Sequence, residues 1–428
     1  MTALASPAQP PAGSAGTVRK LGELALTHVA TFAFPLVFAV VCGRTLGIHD
    51  YGIVSFYAAL AGFLGMFIEF GFDWFGTREV AQHLAEPLLC HRTLWAVTTT
   101  KLLLALLTMA VSGAALWWLR RGAHDEWPLM LASAGYLVGF AFDAGWYVRA
   151  LEQTRLLLLI TTGVRLVGIA VLLIVVPHHA TMGSALAVYA LVSLLTSSVT
   201  WFHLIRRDLV RPARFAPAEI ARLLRGSWAI VFGNVNGAIL TNGGIALLGM
   251  SADPATVGAA NLALRVRMAG QAVLLPLQQL GFVRLSGLAK QSPGAMRALG
   301  SRLLLATLAI GVGVGALAML TAPLITHYVF RDDVPIAVVL ILLLALSIPL
   351  QGVANLFGQQ TLIARGQERR YALIQTSATL AFCAVLLCWP ERSAYGWAIV
   401  AAESTVLLLS ALLLMRLDEP PPARRRRR

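Results

Sequence analysis

GIHDYGIVSFYAALAGFLGMFIEFGFDWFGTREVAQ, Gly47 to Gln82, carries a single charged side chain between Tyr51 and Phe72, and that side chain is Glu69. An apolar run of this length matches the about 20 residues that a helix needs to cross a hydrocarbon core roughly 30 Å thick. Asp73 then follows one helical turn after Glu69, just before the run gives way to Arg78 and Glu79. A segment suited to lipid thus places two carboxylates where it leaves the lipid.

The same pattern recurs along the whole chain. Of 428 residues 58% are hydrophobic and 13% charged, against about a quarter charged in soluble domains, and mean hydropathy is +0.74. Twelve apolar runs stand at about 21–43, 52–72, 94–119, 128–150, 154–177, 181–205, 227–250, 257–283, 302–322, 334–358, 371–389 and 394–415. They read as helices, because lipid offers no partner to an open strand edge and the alternation of barrel strands is absent. The expectation is an all-α integral membrane protein of about 12 transmembrane helices in two six-helix lobes. A tail over 1–20 leads into a first lobe at 21–205, a linker at 206–226, a second lobe at 227–415 and a basic tail at 416–428.

Charge sets the expected orientation. With a cytoplasmic N-terminus, 25 of the 34 Lys and Arg residues fall in inner segments and five (Arg44, Arg120, Arg121, Arg331, Arg392) in outer loops. The positive-inside rule therefore places both termini in the cytoplasm. The net charge of +14 is spread over the loops of one side, which argues against a nucleic-acid partner. The run PPPARRRRR reads either as a solvated tail or as a contact with anionic headgroups of membrane lipids.

Several classes of chemistry drop out. The four cysteines have no metal-ligand or CxxC spacing, and GVGVG at Gly311–Gly315 lies inside an apolar run, where it suits close helix packing. No GxxxxGK[ST] loop for nucleotide is present. No outer loop is long enough for an enzyme's catalytic face, so no cofactor, metal or catalytic residue is expected. What remains is transport or a membrane scaffold. The starts LGIHDYG and LGMSADPATVG, 202 residues apart at Leu46 and Leu248, hint at parallel repeats that could rock about a cleft.

The signature from Gly47 to Gln82 resembles that of the polysaccharide biosynthesis flippases, the Wzx-type branch of the multidrug/oligosaccharidyl-lipid/polysaccharide exporter superfamily. It pairs a YG start, a long apolar helix, an acid before GF and a TRE-like exit. In the second half ILTNGGIALLG (Ile239–Gly249), VGAANLALRV (Val257–Val266) and PLQQLGFVRLSGL (Pro276–Leu288) are similar to the same family. The resemblance implies two lobes around a lumen in a bacterial inner membrane. It implies a cargo of undecaprenyl-pyrophosphate-linked oligosaccharide, with polysaccharide polymerase or assembly proteins as partners.

Ionisable groups inside spans are costly and usually face a bundle interior or water-filled cavity. Arg265 lies too deep to snorkel easily, and Arg267, two positions on, points about 200° away round the helix. Asn261 and Arg265 share the face read here as lumenal. A guanidinium suits a pyrophosphate; the competing reading pairs Arg265 with an acid such as Glu69. Arg165 and Arg267 join the substrate-binding candidates. So do Asp143 and Tyr147, which share a helical face with Tyr136 and Phe140, suited either to stacking on sugars or to core packing. Glu69, Asp73, Arg78 and Glu403 are expected to gate or couple ions, with Asp73 and Arg78 alternatively lying in interfacial water. A small-cation antiporter of the same superfamily predicts a net acidic cavity, and deep basic residues tilt the reading to an anionic cargo.

Overall fold

A computed structural model describes residues 14–119, 127–289, 292–331, 334–389 and 391–418. The start of the N-terminal tail, Arg120 and Arg121, Lys290 and the run Arg424–Arg428 lie outside the described residues. All regular structure among the described residues is helical: α1 Ser14–Glu69, α2 Phe72–Gln82, α3 Pro87–Leu119, α4 Trp127–Ala141, α5 Gly145–Ala150, α6 Thr154–His178, α7 Met182–Arg206, α8 Pro217–Ala238, α9 Gly244–Ser251, α10 Pro254–Ala272, α11 Leu275–Leu288, α12 Pro293–Phe330, α13 Pro335–Asn355, α14 Glu368–Cys388 and α15 Ala394–Asp418. Wider π-type turns continue two of them, at Ile239–Gly243 after α8 and Leu356–Leu362 after α13. Helix therefore begins at Ser14, inside the stretch read as tail, and α8 begins at Pro217, inside the stretch read as linker.

Against the twelve predicted runs, ten stretches among the described residues are long and apolar enough to cross a membrane. Two local causes account for the difference. Ala33–Gln82 counts once although Gly47 (φ 81°, ψ 171°) breaks α1 into two helices. The α10–α11 region does not qualify, because Asn261, Arg265, Arg267, Gln271 and Gln278 interrupt its apolar face. Exposed leucines recur at seven-residue spacing, as in Leu159, Leu166 and Leu173 on α6 and Leu373, Leu380 and Leu387 on α14. Such stripes on water-facing helices would be aggregation-prone; against lipid chains they are the expected surface.

The second part of α1 and α10 make the closest pairing between the two halves of the chain. A Cβ on Gly52 would overlap the carbonyl of Pro254, so only glycine permits this approach. Asn261 Nδ2 donates to Tyr51 Oη at 3.0 Å and to Ser55 Oγ at 2.8 Å across the same contact. Asp253 caps α10, accepting from Ala255 N at 2.8 Å and Thr256 Oγ1 at 2.7 Å. Partial burial opposes ionisation of Asp253, but these hydrogen bonds outweigh it and hold its carboxyl below the usual range. At the opposite end of the bundle α8 lies on α2 and α3. Arg222 reaches Glu79 at 2.6 Å and Arg92 reaches Glu219 at 2.7 Å.

Candidate functional site: two polar cavities in an apolar bundle

The first cavity is made by breaks in helices. After Glu69 the backbone turns through left-handed conformations at Phe70 (φ 44°) and Gly71 (φ 74°), and Asp73 sits in the first turn of α2. Glu69 and Asp73 are thus brought together across a break rather than one turn apart on a continuous helix. Asp143 lies in a second break, between α4 and α5, where its Oδ1 accepts from Gly145 N at 3.3 Å. Carboxylate oxygens of Glu69, Asp73 and Asp143 lie within 4.8 Å of one another.

Cations are built in beside them. Lys101, only 1% exposed, donates from Nζ to the Asp143 carbonyl at 3.1 Å. Arg149 Nη2 holds Asp73 Oδ2 at 2.8 Å. Two cations therefore stand against three carboxyls, so a metal ion at this cluster would compete with charges already in place. Arg78 does not serve Asp73; it is exposed, with its guanidinium over the Phe75 ring at 5.4 Å.

Glu69 and Asp143 open into a cavity of about 280 Å³ that Arg165, Tyr136, Phe140 and Tyr189 also line. Tyr136 stands edge-on to Phe140 and to Tyr189, with ring centroids 5.0 Å apart in both pairs. Arg165 makes no hydrogen bond or ion pair with a described residue. Tyr147 is absent from this wall. The break at 142–144 turns α5 away from the axis of α4, and Tyr147 is buried against Trp146, donating from Oη to the Leu209 carbonyl at 3.2 Å. Tyr189 from α7 takes the place the helical spacing assigned to it.

Arg265 and Arg267 part as their spacing predicts. Arg265 is half-buried and makes no hydrogen bond or ion pair among the described residues, so Glu69 is not its partner here. Its charge lies within Coulombic range of Tyr51 and Tyr136 in the first half and of Tyr395 in the second. Asn261, one turn back on the same face, is buried; its Nδ2 is spent on the α1 contact, and its Oδ1 has no partner among the described residues.

Arg267 turns into the second half. It pairs with Glu403 of α15, the side chains being 5% and 13% exposed. Its Nε donates to Ser347 Oγ at 2.8 Å. With the Gln271 amide assigned so that its oxygen faces Arg267, that oxygen accepts from Nε and Nη2 at 3.0 Å. The pair forms one wall of a cavity of about 580 Å³ enclosed by α8, α10, α13, α14 and α15. The rest of the wall is rich in amides: Asn236, Gln351, Asn355, Gln359 and Gln375, with Thr241, Tyr371 and Thr376. Sequence reasoning passed over these amides, although Gln351, Asn355 and Gln359 recur every fourth residue in an otherwise apolar run, a polar stripe on one helix face.

An apolar groove of about 590 Å³ lies along α1 and α3, lined by Phe56, Leu60, Leu64, Phe67, Leu104 and Leu107. Phe70, adjacent to Glu69 in the chain, closes one part of it. Groove and charged cavity share no lining residue, but the chain neighbours Phe70 and Glu69 line one each.

A family model described as "Polysaccharide biosynthesis protein" matches residues 17–282. A candidate O-antigen transporter of Shigella dysenteriae is 25% identical over 62% of this chain and 66% of its own length, just under two thirds of that protein. A candidate O-antigen transporter of Escherichia coli strain K12 is 21% identical over 87% of this chain and 89% of its own. Among solved structures, a multidrug resistance MATE family transporter of the MOP superfamily, in an inward-facing conformation, superposes with TM-score 0.66 at 14% identity, covering 91% of this chain and 94% of that one. The lipid II flippase MurJ, in an inward closed conformation, gives TM-score 0.68 at 12% identity, covering 92% and 88%. These likenesses establish the fold.

Proposed function

The chain belongs to the polysaccharide biosynthesis protein family, and from that premise we propose that it flips an undecaprenyl-pyrophosphate-linked oligosaccharide between the leaflets of a bacterial inner membrane. One observation carries the reading: Arg265 and Arg165 are partly buried guanidiniums within the bundle that no described acid neutralises. An unpaired buried cation is costly, and a diphosphate supplies the missing partner through parallel charge-assisted hydrogen bonds. The apolar groove along α1 and α3 suits a prenyl chain, because lipid-like surface there leaves the chain in an apolar setting while the headgroup is held elsewhere in the bundle. The relatives named as O-antigen transporters support a cargo of this class.

In this reading residues 21–205 and 227–415 form two lobes that rock about the α1–α10 contact, with 206–226 between them and both termini cytoplasmic. The contact at Gly52 and Asn261 closes the periplasmic end. Coupling comes from an ion gradient or from removal of cargo downstream, and the chain itself carries out no covalent chemistry. Polymerase or assembly proteins would receive the flipped glycan.

Deleting the gene tests the reading. The lipid-linked oligosaccharide should accumulate in the cytoplasmic leaflet and return to export on complementation. Unchanged surface glycan in the deletion strain would overturn it. A second reading, export of small cations, draws on the Glu69, Asp73 and Asp143 cluster; it predicts loss of resistance to cationic compounds with glycan export intact.

A further inference from the structure

We propose that the amide-lined cavity of the second half binds the sugar units of the cargo, as a neutral, hydroxyl-bearing ligand; the inference rests on the flippase reading above. The cavity wall carries amides and hydroxyls, and its two charges are paired with each other. Among the described residues its one cation, Arg267, is consumed by Glu403 and Ser347, and its one carboxylate, Glu403, is consumed by Arg267. Neither a pyrophosphate nor a cationic compound finds an uncompensated charge there. Arg165 in the first cavity and Arg265 are the partly buried guanidiniums that no described acid pairs in this reading, so headgroup and glycan have separate, chemically distinct places.

What the cavity does offer is hydrogen-bond acceptors. Gln351 Oε1 is buried with no partner among the described residues. Asn236, Asn355 and Gln375 spend an amide N–H on Thr376 at 3.4 Å, Gln278 at 3.4 Å and Tyr371 at 2.5 Å, which leaves their carbonyl oxygens to accept. Sugar hydroxyls are donors that match such acceptors, and a buried unpaired oxygen is a cost that a bound hydroxyl removes. The volume of about 580 Å³ falls in the range of small-ligand sites, about 300–1,000 Å³. Exposed Phe232, Gly233 and Thr376 at its lip leave a way in.

The test uses the full chain purified in detergent and two probes: bare undecaprenyl pyrophosphate, and the glycan-bearing lipid extracted from cells lacking the chain. Wild type should bind the glycan-bearing lipid about tenfold more tightly than the bare one, about 1.4 kcal/mol. Gln351→Leu with Gln375→Leu should erase that preference while leaving affinity for the bare lipid unchanged, which also reports that the variant is folded. The milder Gln359→Leu, at an exposed position, should reduce the preference in the same direction. Arg265→Ala should weaken both probes in the same proportion. A preference that survives in the double variant, or no preference in wild type, overturns the sugar site. Failure of wild type to bind either lipid overturns the flippase reading itself, a distinct outcome.

Discussion

Arg265 and Arg267 are two residues apart and face opposite chemical problems. Arg267 is a buried charge whose environment is complete, so removing one partner leaves the other uncompensated. Arg267→Ala or Glu403→Gln should destabilise the protein by about 3–5 kcal/mol, as loss of one member of a buried pair does. Thermal unfolding and membrane abundance would report it, and Arg267→Met combined with Glu403→Leu should recover most of the loss. Arg265 has no described partner, so Arg265→Ala should leave abundance unchanged and abolish export, while Arg265→Lys restores only part because it lacks the planar fork. The 200° turn between positions two apart was legible in the sequence. The identity of the partner was not: Glu403 lies 136 residues away, and no local pattern pairs it with Arg267.

Helix existence was legible because lipid leaves the backbone no alternative; helix breaks were less so. Gly47 and Gly71 are marked by their residue type. The interruption at 142–144 carries no proline, and it moved Tyr147 out of the wall that periodicity assigned to it. The α1–α10 contact shows what glycine allows there: replacing Gly52 by Val should force the two helices apart and lower abundance. If that contact must open in each cycle, a bridge across it should stop transport. Ser55→Cys with Asn261→Cys joins positions whose side chains hydrogen-bond at 2.8 Å. Oxidation should crosslink the pair and halt export, and reduction should restore it. Full export by the crosslinked protein would mean that this contact stays closed throughout.

At the scale of the whole molecule the charge asymmetry predicts that reporter fusions after Arg207 and Arg428 are cytoplasmic and one after Arg121 periplasmic. A periplasmic signal from the Arg207 fusion would reverse the orientation. Fold and family were readable from apolar run lengths and from the Gly47–Gln82 signature. The division into a charged cavity and a neutral, amide-lined one was not, because it depends on which buried charges neutralise each other across the bundle. The account centres on nucleotide-independent movement of a lipid-linked glycan past Arg265, and reconstituted vesicles measure that directly. With the purified chain, glycan-bearing undecaprenyl pyrophosphate placed in one leaflet should appear in the other without ATP, and the Arg265→Ala protein, equally abundant, should leave it where it began. Equal transfer by wild type and Arg265→Ala, or transfer only when ATP is supplied, would contradict it.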